Sequence, residues 1–166
     1  MTTTVESAFG ARIMAAGFLL NNQLTDFSFR PEIDGRKVAN RVEPGKRPRS
    51  SMAPTMVFDP QGELRVILGS PGGALIIGYV AQTLVAILDW AMDPQQAVEL
   101  PHVLTTGGPV LLEQGTEAAG LKEALEARGH RVSVRPTESG LHAIVVTARG
   151  ITAGADPRRE GAALGD

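Results

Sequence analysis

Between residues 55 and 90 the spacing of apolar positions changes from a strand period to a helix period. Residues 55–58 and 64–68 are β-prone runs separated by Asp59-Pro60-Gln61-Gly62, whose proline and glycine suit a tight turn, so a hairpin is predicted there. From residue 73 to 90, Ile76, Val80, Leu84, Ile87 and Leu88 recur at helical spacing and predict a long apolar helix. The glycine-rich stretch Gly69-Ser70-Pro71-Gly72-Gly73 therefore falls at a strand-to-helix junction.

On either side of this unit the pattern is more broken. Residues 1–6, rich in threonine and valine, read as a strand, and 11–21 as extended chain around Gly17. Residues 30–49 carry Pro31, Pro44, Gly45 and Pro48 and read as a long loop. Asp93-Pro94 offers an N-cap and a first-turn proline for a short helix through Ala97 and Val98, ended by Pro101. A strand over 110–113 precedes a surface helix over 116–128, with Leu121 and Leu125 one turn apart and Gly129 as its cap. Strands close the chain at 131–134, 141–147 and 151–155, and the row Ala143-Ile144-Val145-Val146 is expected to be buried on both faces. Residues 160–166, small and charged, suit an exposed terminus. The sum is a layered α+β fold with neither repeats nor low-complexity tracts.

Composition narrows the function classes. With 166 residues, 43% of them hydrophobic, there is enough chain for one ordinary core. The net charge of −2 argues against a nucleic-acid partner, although residues 30–49 hold seven basic side chains (Arg30, Arg36, Lys37, Arg41, Lys46, Arg47, Arg49) against three acidic ones (Glu32, Asp34, Glu43). Cysteine is absent, which removes thiol chemistry and disulfides. The apolar run at 73–90 contains Gln82 and ends at Asp89, so a buried helix is expected and no membrane span. Nothing at the start resembles a signal peptide.

Candidate chemistry is sparse. Glycines before a helix let a ligand oxygen approach unpaired N–H groups at the positive end of the helix dipole, so the 69–73 turn suits an anion or a developing oxyanion; simple chain reversal would use the same residues. Ser50 and Ser51 lack a nucleophile-elbow context and offer hydroxyls to a polar ligand or to loop capping. Asn21, Asn22, Gln23 and Asp26 place amides and a carboxylate after an apolar segment, again as ligand contacts or as caps. His102, His130 and His142 show no metal-ligand spacing and are assigned to surface or packing roles. Were Met1 removed, Thr2 would become an N-terminal threonine with its own α-amine as base.

Three motifs in order, Phe18-Leu19-Leu20-Asn21-Asn22-Gln23 with Asp26-Phe27-Ser28, Lys46-Arg47-Pro48-Arg49-Ser50-Ser51-Met52-Ala53-Pro54-Thr55, and Gly69-Ser70-Pro71-Gly72-Gly73, resemble the small-subunit signatures of the γ-glutamyltransferase (γ-glutamyltranspeptidase) family, and Asp156-Pro157-Arg158 with Gly161 resembles its close. The resemblance implies the small-subunit portion of an α/β/β/α N-terminal-nucleophile hydrolase sandwich, one partial domain over residues 1–166 that is incomplete without a large subunit. In that family the proenzyme cleaves itself. A new N-terminal threonine then takes the γ-glutamyl group of glutathione-type substrates and passes it to water or an amine.

By the same resemblance Gly72 and Gly73 form the oxyanion hole. Thr4 supports the nucleophile, Asp26 with Gln23 holds the α-ammonium, and Ser50 and Ser51 hold the α-carboxylate. Glu6 stands where many members carry an asparagine against that carboxylate, and would repel it unless turned away; Thr25 stands where an aspartate often precedes Asp26. The threonine nucleophile is expected upstream of Thr4 and outside this chain, which makes the isolated chain an inactive, pocket-bearing fragment. No metal or organic cofactor is implied, and the family's export signal is expected on the preceding part. The alternatives are a non-catalytic glutamyl-binding or assembly module, a truncated gene product, or a relative acting on acylated β-lactam side chains.

Overall fold

The computed structural model describes residues 2–6 and 9–165. The chain divides into two compact units, residues 1–50 and 51–166.

The first unit is built from turns. Thr2 to Val5 form no strand among the described residues, contrary to expectation: no partner ladder is present, and Gly10 N donates back to Val5 O at 2.6 Å, bending the segment. Two minimal hairpins follow, β1 (Met14–Ala15) with β2 (Phe18–Leu19), and β3 (Glu32–Ile33) with β4 (Arg36–Lys37). The second lies inside the stretch expected to be a plain basic loop; it turns through Asp34 and Gly35, both at positive φ. Between the hairpins a 3-10 turn spans Gln23–Asp26 and Phe27 is buried behind it.

The second unit carries the core. The predicted hairpin is β5 (Thr55–Phe58) with β6 (Leu64–Gly69), and it joins β10 (His142–Thr147) and β11 (Gly150–Ala155) in an antiparallel sheet ordered β11-β10-β6-β5. Helix α1 (Ile76–Leu88) and the short α2 (Pro94–Glu99) lie on one face. Asp93 caps α2 as expected, its side chain accepting from Gln95 N at 2.9 Å, with Pro94 in the first turn. Val66 and Leu68 of β6, Ala143 of β10, Ile76, Tyr79, Val80 and Ile87 of α1, and Ala97 and Val98 of α2 form one cluster.

The opposite face of this sheet is apolar and open. Met56 pairs with Ile67, Ile67 with Ile144, and Ile144 with Ala153, a row across all four strands. Met56 is 62% exposed and Ile144 is 37% exposed. The row at 143–146 is therefore buried on one face only, because the described helices cover only the side that Ala143 faces.

A second, three-stranded sheet places β8 (Val110–Glu113) between β7 (Val103–Leu104), antiparallel, and β9 (Val132–Arg135), parallel. The parallel pair is crossed over by a 3-10 turn (Glu117–Leu121) continuing into α3 (Lys122–Glu126). One α-helix over 116–128 was expected; Gly120 in its middle favours the tighter first half, and Gly129, at φ 86, ends the second as predicted. No helix of the described residues is long and apolar enough to cross a membrane.

Candidate functional site

In the first unit the polar residues singled out from sequence form two linked pairs. The 3-10 turn brings Gln23 over Asp26, Nε2 donating to Oδ2 at 2.8 Å, while Asn40 Nδ2 donates to the Asp26 carbonyl at 2.6 Å and anchors the turn. Gln23 N is capped by Asn21 Oδ1 at 2.9 Å. Glu6, at φ 45 in a turn, is directed at Asn22, whose Nδ2 donates to Glu6 Oε2 at 2.6 Å. The Asn22 Oδ1 is buried without a partner among the described residues. An open pocket of about 590 Å³ is bounded by residues 10–12 and 21–25, with Pro48 at its edge. Thr4 and Asp26 are half-buried and Ser50 is exposed.

The glycine turn belongs to the second unit, as does half-buried Ser51. Gly72 and Gly73 sit at φ 130 and 59, backbone that L-residues resist, and a 3-10 turn over Gly73–Leu75 leads into α1. The first hydrogen bond of that turn runs from Leu75 N to Gly72 O at 3.3 Å, so the amides ahead of Leu75 have no carbonyl behind them within the helix. They lie at the positive end of a 13-residue α1. A Cβ on Gly73 would meet nothing within 4 Å, which leaves room for an approaching ligand atom.

A cluster that sequence reasoning missed lies behind this turn. The Arg158 guanidinium grips Glu113 with Nε to Oε1 at 2.5 Å and Nη2 to Oε2 at 2.7 Å, reaches Asp156 Oδ1 at 3.0 Å, and closes the end of α2 on the Val98 and Leu100 carbonyls at 3.1 and 2.9 Å. Glu113 also accepts from His102 N at 2.9 Å and Thr137 Oγ1 at 2.7 Å. Burial alone would raise the Glu113 carboxyl; the hydrogen bonds from Arg158, His102 N and Thr137 outweigh it and hold the pKa at about 2. The Asp-Pro-Arg motif was legible as a family close, but its partners, Glu113 for Arg158 at a separation of 45 residues and Ser139 for Asp156 at 17, were not.

Ser139, His102 and Asp156 meet in the same place without forming a nucleophilic triad. Ser139 Oγ donates to Asp156 Oδ2 at 2.5 Å, so its proton is committed there, and His102 Nε2, 2.8 Å away, must be the donor to Ser139 Oγ. The serine is fully buried. Burial, reinforced by the Arg158 charge, pushes His102 down to about 4. The packing role expected of His102 holds, while His130 and His142 are exposed. Among the described residues no three His, Asp or Glu side chains converge as a metal site would require.

Known proteins give this arrangement its class. The family model for gamma-glutamyltranspeptidase matches residues 1–166. The chain is 36% identical to the glutathione hydrolase proenzyme of Bacillus subtilis over 99% of its own length and 28% of that protein's, and 37% identical to the acylase ACY 1 proenzyme of a Pseudomonas strain over 93% and 27%. Among solved structures, a gamma-glutamyltranspeptidase from Pseudomonas nitroreducens superposes with a TM-score of 0.79 at 28% identity, covering all of this chain and 92% of the solved one. The fold is thus the α+β portion that N-terminal-nucleophile hydrolases of this kind contribute to their sandwich. The chain belongs to the γ-glutamyltranspeptidase family, and it spans a little over a quarter of the length of the curated relatives it matches.

Proposed function

We propose that this chain supplies the glutamyl-binding groups and the oxyanion hole of a γ-glutamyl hydrolase and transferase, whose nucleophile is an N-terminal threonine preceding Thr4 in the mature enzyme. The observation that carries this reading is the Gly72 and Gly73 turn, whose positive-φ backbone stands at the head of α1 ahead of the first hydrogen bond of its 3-10 turn, with open space beside Gly73. Two such donors stabilise the alkoxide formed when a threonine oxygen attacks the γ-glutamyl carbonyl, and again when water or an amine attacks the acyl-enzyme. Asp26, oriented by Gln23, holds the donor's α-ammonium, and Ser50 and Ser51 its α-carboxylate. Thr4 hydrogen-bonds the nucleophile. Glu6 is tied to Asn22 rather than left free, which moderates the repulsion a carboxylate substrate would otherwise meet.

The partner in this reading is the remainder of the same proenzyme. The open apolar row of Met56, Ile67 and Ile144 has the character of a sheet face awaiting a second layer, and the relatives' names describe proenzymes more than three times as long as the matched segment. In this reading the nucleophile comes from residues that precede Thr4 in the proenzyme, and residues 1–166 assayed alone should be silent.

A second reading is favoured by the acylase relative, as similar to this chain as the glutathione hydrolase is. In that reading the donor is a β-lactam side chain such as a glutaryl group, which lacks the α-amine, and the α-ammonium site has nothing to hold. The mature two-part protein should release nitroaniline from the γ-glutamyl anilide at least about 100-fold faster, in kcat/KM, than from the glutaryl anilide lacking the α-amine; this corresponds to about 3 kcal/mol of ion-pair recognition. Asp26→Ala should erase most of that preference. Equal rates on both donors would favour the acylase; an unchanged preference in Asp26→Ala would place the α-ammonium contact on another residue.

A further inference from the structure

The glycine turn rests on buried polar groups that the reaction as described does not use. A Cβ on Gly72 would lie 2.5 Å from Tyr79 Cε2 and 3.1 Å from Cδ2, so the tyrosine ring is in direct contact with the turn. Tyr79 is 1% exposed, and its ring lies against His102 with centroids 4.3 Å apart. His102 in turn donates to Ser139.

The other side of the turn arrives at the same serine. A Cβ on Gly140 would sit 2.8 Å from Pro71 Cγ, and Gly140 N donates to Ser70 Oγ at 3.3 Å. Gly140 follows Ser139 directly, and Ser139 is fixed by its 2.5 Å bond to Asp156 and by the 3.2 Å bond from Leu141 N to the same carboxylate oxygen. Both supports of the turn therefore converge on Ser139.

A hydrophobic core does not need this chemistry. Buried polar networks can often be replaced as a whole by well-packed apolar groups of similar volume without loss of stability, whereas a satisfied network rigidifies one arrangement. Oxyanion donors tolerate errors of about half an ångström, and a turn held at φ 130 keeps its geometry only where its surroundings over-determine it. We propose that Tyr79, His102 and Ser139 are positioning residues that hold the Gly72 and Gly73 amides where the oxyanion forms. The proposal rests on the reading of those amides as an oxyanion hole.

The test uses the complete, matured protein and three variants, Tyr79→Leu, Ser139→Ala and Tyr79→Phe. Losing the ring under Gly72, or the hydroxyl that ties both supports, should lower kcat on the γ-glutamyl anilide by about 10- to 100-fold with KM within about twofold. Tyr79→Phe, which keeps the ring, should recover most of the rate. A boronic acid analogue of the γ-glutamyl group should bind more weakly by the same factor as kcat falls, whereas free glutamate should bind as before. Amide hydrogen exchange needs no turnover; at Leu75 and Gly140, whose N–H groups bond to the turn at Gly72 O and Ser70 Oγ, it should accelerate in Tyr79→Leu and Ser139→Ala.

Exchange unchanged in both variants would overturn the positioning role, as would a rate loss matched by an equal loss of glutamate affinity. Should Tyr79→Leu fail to accumulate, Ser139→Ala decides by the same two outcomes. Absence of turnover in the wild-type protein would sink the oxyanion reading instead, and would leave the exchange result to judge the support of the turn.

Discussion

Arg158 concentrates more interactions than any other side chain described here, and its surroundings set how the protein responds to mutation and to pH. It satisfies two buried carboxylates and three carbonyls at the end of α2, with Glu113 at 6% and Asp156 at 1% exposure. Removing one member leaves charge buried without a partner, so Arg158→Ala should cost about 3–5 kcal/mol, read as a lowered melting temperature of the assembled protein. A loss under about 1 kcal/mol would show that solvent reaches the cluster.

The pH response follows from two depressed pKa values. His102 stays neutral down to about 4 in the folded protein but takes a proton near 6.5 when unfolded, so its share of stability is full above 6.5 and is lost as pH falls towards 4. Glu113 is ionised down to about 2 when folded against 4.5 unfolded, so its share is lost between 4.5 and 2. The groups facing His102 are Tyr79, Glu113, Asp156 and Arg158, none of which titrates between 6.5 and 4.5 in this setting. His102→Gln should therefore flatten the fall of melting temperature across that window in scanning calorimetry; an unaltered slope would assign the proton uptake elsewhere.

At the scale of elements, the two faces of the β11-β10-β6-β5 sheet predict opposite phenotypes. Leu68 points into the core at 2% exposure, and Leu68→Ala should cost about 2–5 kcal/mol of stability wherever it is measured. Ile144→Ser, in the open row, should leave the secondary structure of the chain intact by circular dichroism and weaken its association with the rest of the proenzyme. If Ile144→Ser melts like Leu68→Ala, the open face is not an assembly surface.

Elements dictated by local chemistry were legible in the sequence. The Asp59-Pro60-Gln61-Gly62 turn, the Asp93-Pro94 start of α2, the Gly129 cap and the glycine turn before α1 each depend on residues within a few positions. What was not legible depends on distant partners. The apparent strand at 1–6 forms no ladder among the described residues, β7 is too short to show a period, and the open face of β10 depends on what packs over it. The buried cluster is the clearest case: the contacts that link His102, Glu113, Ser139 and Asp156 to one another span 11 to 37 residues, and no spacing rule links them. The candidate site residues were found through their motif order, not through any pattern of burial.

For the whole molecule, the two coverage figures bear on the same question. The chain spans 28% of a curated proenzyme's length but covers 92% of a solved chain with the same fold, as expected if such proteins mature into separate chains of which one corresponds to this sequence. An exposed apolar sheet face, with Met56, Phe58 and Ile151 each more than half exposed, fits a part that meets its partner in the finished enzyme. Purified alone, the chain should aggregate or chromatograph as mixed oligomers, and a monodisperse, cooperatively melting monomer would contradict that.

The most direct measurement is release of nitroaniline from a γ-glutamyl anilide by the purified chain, alone and mixed with a separately expressed partner segment that extends through the threonine preceding Thr4. The account predicts silence from the chain alone and turnover in the mixture. Activity of the chain alone, abolished by Thr2→Ala, would make Thr2 the nucleophile; silence in a mixture shown to assemble would leave a glutamyl-binding module without catalysis.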